Sequence, residues 1–394
     1  DNLRYKISKI NNDYIFDTSV VINKNSLIID LLNYKKKKNT NSLLQLNGIY
    51  KDNKKIKFNS ILLRENDNSF LIKNLSLNSK LKITNIDSID LNYTNNKIKN
   101  QINLRRNKKN YIIKGKSFDT TKLINTLLSD DSNDQSSIFA DLNAEVKIKI
   151  DKTYLDNVAF VNNLSANVKF LHNKIDKVNL VSNFEDDKKL TLSINSNDKN
   201  EKITTVFSSH PKPLLKQYKF IKGFEEGVLD FYSIKKEDVS NSVLTIDNFK
   251  VQEVPALAKL LTLASLQGIA DLLTGEGIRF TDLEMKFSNQ KGLMKIEEMY
   301  AIGPAISILM DGYIESKKLI SLRGTLVPAT TINRTIASIP LIGDFLVGKK
   351  TGEGIFGVSF KIKGPSDDLK TTVNPVKTLT PRFITRTLEK IKKN

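Results

Sequence analysis

The chain has 394 residues, 39% of them apolar and 27% charged, with no cysteine and a formal net charge of +19. Apolar residues are frequent enough for a packed interior but are interleaved with charge, which excludes both a polytopic membrane protein and a disordered chain. The lack of cysteine removes disulfides, thiolate catalysis and cysteine-held metals, while the positive charge suits phosphates or anionic lipid headgroups, or else reflects a composition in which Lys, Asn and Ile rise together.

From about residue 40 to 250 apolar residues recur at every second position. Leu44, Leu46 and Tyr50 are followed by Ile56, Phe58 and Leu62, then by Leu75 with Leu77 and Leu81 with Ile83. Ile89, Leu91 and Tyr93 continue the pattern, as do Ile102 with Leu104 and the even positions from Leu142 to Ile150. It returns at Leu164–Phe170, Leu190–Ile194 and Leu244 with Ile246. Clusters of Asn, Asp, Ser and Lys separate these runs. Short strands with frequent turns and one apolar face describe an antiparallel meander. Two short helices are expected inside it, one near 119–129 with Asp119 as its N-cap and one near 211–221.

At about residue 250 the composition shifts, which predicts a boundary between a segment 1–250 and a module 251–394. Val254–Leu273 is almost wholly apolar and long enough to span a bilayer. Lys259 and Asp271, Pro255 near its start and the Gly275–Gly277 stop favour a buried helix or helical hairpin instead. Strands are expected at Leu283–Phe287, Leu293–Glu297, Ile306–Met310, Leu319–Leu326 and Gly357–Lys363, with a second apolar helix at Thr331–Leu346 broken at Pro340. A basic helix closes the chain.

Catalytic patterns fail on context. Gly352, Gly354 and Gly357 fit G-x-G-x-x-G, but a helix precedes them and a strand follows, the reverse of a dinucleotide site. Gly343, Gly348 and Lys349 approach a phosphate loop, yet Lys350 stands where its magnesium-holding hydroxyl belongs. The two histidines, His172 and His210, fall in loops, and no G-x-S-x-G accompanies them. The basic runs Lys35–Lys38 and Arg105–Lys109 also fall where loops are expected, without the interleaved aromatics of a nucleic-acid groove. The reading is therefore a protein that is not an enzyme, with no catalytic residue, cofactor or metal, and no nucleic-acid partner.

The stretches IDNFKVQEVPALAKLLTLASLQGIADLLTGEGIRF (246–280), DGYIESKKLISLRGTLVPATTIN (311–333), SIPLIGDFLVG (338–348) and FKIKGPSDDLKTTVNPVKTLTPRF (360–383) resemble, in order and spacing, the C-terminal region of the AsmA-like family. Within it, the YhdP/TamB-type bridge-like lipid transfer branch is the most similar. Earlier in the chain, YIIKGKSFDTTKLI (111–124) is similar to a strand-then-helix step of that family. The resemblance implies a mainly β protein: a long curled antiparallel sheet forming an open groove, with a few apolar helices near its C-terminal end. It implies a periplasmic body anchored in the inner membrane by an N-terminal helix. The chain begins at Asp1 with no Met, signal peptide or anchor, and so reads as a fragment whose targeting segment has been trimmed. It also implies phospholipid transport towards the outer membrane, with phospholipids, a membrane surface and envelope proteins as partners. A non-transporting adaptor that uses the sheet to bind proteins is the alternative, and a closed sandwich core would give the same alternation.

Two sets of site residues follow. Leu44, Leu46, Ile56, Phe58, Val146, Ile148, Val168 and Leu192 share parity within their runs and are expected to line one continuous lipid groove. Phe383, Leu388 and Ile391 follow helical spacing among Arg382, Arg386 and Lys390. That helix either docks on its own domain or lies in a membrane interface with its cations on anionic headgroups. The apolar stretches Leu257–Leu273 and Ile332–Leu346 are expected to pack on the last strands and plug the groove's end.

Overall fold

The computed structural model describes residues 2–123, 138–197, 199, 201–215, 223–252, 254–263, 276–315, 318–328, 357–365 and 368–376. The protein is mainly β: 72% of the described residues are in strands, with few helices among them and a sheet that does not close into a barrel. It divides into two compact units, Asp1–Ser196 and Asn197–Asn394. The expected boundary near 250 instead falls inside a strand, Val239–Gln252, that is paired along both edges. The change in composition there marks a more apolar stretch of one sheet, not the end of a folding unit.

In the first unit the strands are β1 (Asn2–Ile10), β2 (Asp13–Val21), β3 (Leu27–Ile29), β4 (Tyr34–Lys36), β5 (Ser42–Tyr50), β6 (Ile56–Glu65), β7 (Asn68–Leu77), β8 (Ile83–Asn85), β9 (Ser88–Asn95), β10 (Ile98–Asn107), β11 (Asn110–Asp119), β12 (Ala144–Tyr154), β13 (Phe160–Leu171), β14 (Lys174–Asn183) and β15 (Lys189–Ser196). Pairing runs β1-β2-β5-β6-β7-β9-β10-β11-β12-β13-β14-β15, with β8 beside the end of β7. Every pair is antiparallel except β11–β12, which is parallel. A hairpin cannot join parallel neighbours, and here the long 120–143 connection does so. At its start the Asp119 carboxylate accepts the Thr121 N–H at 3.0 Å and residues 121–123 are helical; the rest of the helix expected at 119–129 lies outside the described residues.

Some of the asparagines have a local role in turns. Tight antiparallel hairpins need two central residues with positive φ, and Asn tolerates that region better than most side chains. Asn96–Lys97 (φ 48° and 68°), His172–Asn173 (47° and 64°) and Lys291–Gly292 (49° and 81°) are such turns. His172 is thus a turn residue, its ring exposed and 3.1 Å from Asp141.

The second unit is a meander in chain order: β16 (Glu201–Ser208), β17 (Gly223–Lys236), β18 (Val239–Gln252), β19 (Ile278–Gln290), β20 (Leu293–Ile302), β21 (Ile306–Glu315), β22 (Leu319–Pro328), β23 (Gly357–Gly364) and β24 (Lys370–Val376). Each of the strands expected from Leu283 onward is present and longer than its alternation alone indicated. One row of directly opposed residues, Ile246–Leu283–Ala301–Ile308–Leu326–Val358, crosses the sheet, and Phe231–Leu244–Met285–Met299–Met310 lies beside it. Gly324 continues this second row opposite Phe360, whose ring lies within 2.7 Å of where a Cβ would stand, so the glycine makes room for the aromatic.

A helix at Pro255–Leu263 packs on this apolar face. Leu260 and Leu261 are fully buried in the cluster formed by Phe224, Phe249, Ile278, Phe280, Ile306 and Leu326. Pro255 occupies the tolerated first turn. The remainder of the expected plug, 264–273 and 332–346, lies outside the described residues. A four-residue helix, Lys212–Leu215, stands at the start of the one expected at 211–221, of which 216–221 lie outside the described residues. Among the described residues no helix is long and apolar enough to cross a membrane.

Candidate functional site

In an antiparallel sheet, directly opposed residues share a face. Register therefore assigns the face of every candidate in the first unit. Leu44 and Leu46 oppose Leu63 and Ile61, and Phe58 and Ile56 oppose Gly48 and Tyr50 of the same parity. Phe70 and Ile72 continue that face to Leu91 and Ile89, then to Ile102 and Leu104, and on to Gly115 and Ile113. Across the parallel pair Ile113 neighbours Ile148 and Tyr111 neighbours Val146. Val146 opposes Val168, which opposes Val178, and Leu180 opposes Leu192. Leu44, Leu46, Ile56, Phe58, Val146, Ile148, Val168 and Leu192 accordingly lie on one face of one sheet.

One residue grouped with them does not. A bulge between β5 and β6 at Asn47/Gly48 shifts the parity of β6 after Phe58. Ile61 and Leu63 carry the apolar face onward, while Leu62 turns to the opposite side. That side is mixed around Leu62, where Lys57 opposes Ile49, Arg64 opposes Leu43 and Asp90 opposes Leu71, and becomes polar across β12–β14, where Lys147 opposes Asn167, Lys149 opposes Ser165 and Lys177 opposes Lys169. Much of the positive charge of this unit is thus a solvated outer face.

Away from the strap the face is unevenly covered: Ile148, Val168, Leu180 and Leu192 are half-buried, whereas Val146, Ile150, Ala166, Val178 and Leu190 are buried. On the edge strand β1 the same face ends in Leu3, Tyr5 and Ile7, all more than half exposed. In one place the face is roofed. The connection from β2 to β5 folds back over it as a strap, made of β3, a 3₁₀ turn at Asp30–Leu32 and β4. Its neck is tied by Ser42, whose hydroxyl donates to the Ile22 carbonyl at 2.6 Å and whose N–H donates to the Asn23 side chain at 2.9 Å.

The strap is held at one end by buried polar groups. The Tyr34 hydroxyl donates to the Glu65 carboxylate, which also accepts from Asn68 at 3.0 Å. Tyr93 donates to the Leu32 carbonyl at 2.6 Å, and Asn33 donates to the Asp119 carboxylate at 2.7 Å. Tyr34, Phe70 and Tyr93 pack ring against ring. Burial, then the Glu65 carboxylate, push the Tyr34 phenol well above its ordinary range; burial, then Asp119, do the same at Tyr93. Lys36, expected in a solvated basic loop, is fully buried instead. Its Nζ donates to the carbonyls of Asn25, Lys37 and Asn23 at 2.8, 2.9 and 3.3 Å, which satisfies all three donors. Because Tyr93 ties the strap's turn to the sheet, Tyr93→Phe is expected to cost about 1–3 kcal/mol by leaving the Leu32 carbonyl unpaired, read from urea unfolding midpoints.

No family model, characterised protein or solved structure matches the chain.

Beneath the strap lies a pocket of about 290 Å³. Leu27, Ile29 and Leu32 form its roof. Its floor is two rows of opposed residues, Leu44–Leu63–Phe70–Leu91 and Ile61–Ile72–Ile89. Not one lining residue is polar. The strap and its pocket escape a reading by alternation, because LII and YKK are too short to show a period and Lys36 reads as surface. Phe383, Leu388, Ile391, Arg382, Arg386 and Lys390 lie outside the described residues.

Proposed function

We propose that this protein binds lipid acyl chains on its apolar sheet faces and moves phospholipids between membranes without making or breaking covalent bonds. The observation that supports this is the single continuous face on which the register brings together Leu44, Phe58, Ile148, Val168 and Leu192. A sheet with one apolar face must cover it, and proteins ordinarily do so with a second packed layer. Among the described residues of the first unit the strap roofs only the β5–β9 part of that face, and Ile148, Val168, Leu180 and Leu192 remain partly exposed. Acyl chains are suitable cover, since each CH₂ removed from water contributes about 0.8 kcal/mol through contacts with no preferred direction. Neighbouring positions along such a face are similar in energy, so a lipid can pass from one to the next. About a dozen strands at ~4.8 Å spacing offer roughly 60 Å of track.

The resemblance to the AsmA-like family adds the setting: a periplasmic body tethered to the inner membrane, maintaining the envelope by supplying phospholipid to the outer membrane. The polar, lysine-rich opposite face suits water and anionic surfaces. An adaptor role is the second reading. It is favoured by β1, which among the described residues pairs only with β2 and carries exposed Leu3, Tyr5 and Ile7, as a strand from a protein partner requires.

The test is transfer of a fluorescent phosphatidylglycerol between vesicles by the intact chain and by an Ile148→Asp/Leu192→Asp variant. Both positions are half-buried, so the variant is expected to fold while interrupting the track. A loss of transfer of at least about tenfold is expected, with less phospholipid carried through purification by mass spectrometry. Unchanged transfer and lipid content would reject the reading.

A further inference from the structure

We infer that the pocket under the Leu27–Lys36 strap is a fixed seat for the methyl end of one hydrocarbon chain, entered tail first. This rests on the lipid reading above for the class of ligand and adds a site with its own size and direction. At about 290 Å³ the pocket lies at the lower limit of ligand pockets, which run from about 300 to 1,000 Å³. That suits a single chain rather than a two-tailed lipid.

Direction follows from the two ends. Past the Leu44–Leu63–Phe70–Leu91 row, the next row on the same face is polar and closed: Ser42, Glu65 and Asn68 oppose one another there, with Tyr34 and Tyr93 packed against them. Each of these groups already has a partner, and Glu65 would repel a phosphate or carboxylate. Among the described residues no cation lines the pocket to receive one. Past Ile61 and Ile72, the row Gly48–Phe58–Leu75 is apolar, with Phe58 half-buried and Leu75 buried. The floor rows also run on across the strands to Val20 and Ile102, so a chain enters from an apolar side and not past Glu65, leaving its headgroup outside.

The seat is fixed because the strap's roof is hung from buried hydrogen bonds at Tyr34, Tyr93 and Lys36. A lipid on the open face can slide. One whose tail is seated under the strap is held, so the strap marks a stopping place on the track.

Calorimetric titration of the intact chain with dodecanol, laurate and dodecyltrimethylammonium, each below its micelle concentration, tests the inference. The three are expected to bind within about threefold of one another, with affinity rising about fourfold per CH₂ along the alcohol series until the pocket is full. Ile72→Trp, which fills the middle of the floor, is expected to weaken dodecanol at least about tenfold. Leu91→Ala, which enlarges the pocket, is expected to move the plateau to longer alcohols. Strong preference for one headgroup charge, no binding of dodecanol, or a plateau unmoved by Leu91→Ala would each overturn it, whether or not Ile72→Trp folds. Phosphatidylglycerol transfer run in parallel separates the two claims. Transfer lost with dodecanol binding kept rejects the transport reading alone, and transfer kept with dodecanol binding absent rejects the seat alone.

Discussion

Leu261→Asp is expected to unfold the apolar cluster of the Asn197–Asn394 unit. Leu261 has no exposed surface and lies, with Leu260, where the Pro255–Leu263 helix meets Phe249, Ile278 and Ile306. Truncating a leucine in such a place costs about 3–5 kcal/mol from lost transfer energy and the cavity left behind. A carboxylate adds the cost of a charge buried among apolar side chains. For a unit of this size each kcal/mol corresponds to about 2–4 °C, so a fall in Tm of about 10 °C or more is expected by calorimetry. Thr262→Asp on the same helix is the control: Thr262 is exposed, its hydroxyl donates only to the Ala258 carbonyl of the preceding turn, and its Tm is expected to move little. Equal, small shifts for both variants would show that the helix is not seated on the sheet.

What could be read from the sequence was whatever depends on side chains alternating along a strand. Leu44, Val146, Val168 and Leu192 were placed on a common face by parity within their own runs, and register joins those runs because directly opposed residues share a side. Parity fails where a strand bulges, as at Leu62, since one extra residue moves every later side chain across the sheet. The turn asparagines could be recognised by kind but not by role, because positive φ is imposed by the hairpin they close. The strap could not be read at all. Its strands are three residues each, and what holds it is a set of contacts between positions far apart in sequence, such as Tyr34 with Glu65 and Tyr93 with Leu32. A lysine buried by three carbonyls has the same letter as one in water. The division at 196/197 was missed for a related reason: composition reports how apolar a segment is, whereas a compact unit is defined by which strands lie together.

The buried tyrosines make the second large effect a matter of pH. Tyr34 and Tyr93 are both held above the ordinary phenol range, by burial first and then by the carboxylates of Glu65 and Asp119 respectively. In the unfolded chain each loses its proton near pH 10. Above that pH the unfolded state binds fewer protons than the folded state, so stability falls as pH rises. The contribution is complete below pH 10 and is lost progressively towards the folded-state values. Each tyrosine contributes a slope of about 1.4 kcal/mol per pH unit in that window, or about 2.7 kcal/mol per unit for the pair. Urea midpoints measured at steps above pH 10 are expected to drop with that combined slope, as the strap comes away from the sheet. Spectrophotometric titration is expected to show two of the 11 tyrosines failing to ionise until the chain unfolds. The Tyr34→Phe/Tyr93→Phe variant starts from lower stability, because the Leu32 carbonyl and the Glu65 carboxylate each lose a donor, but its alkaline slope is expected to be flatter. If the double variant keeps the full slope, some other group governs alkaline unfolding and the strap is not held through these phenols.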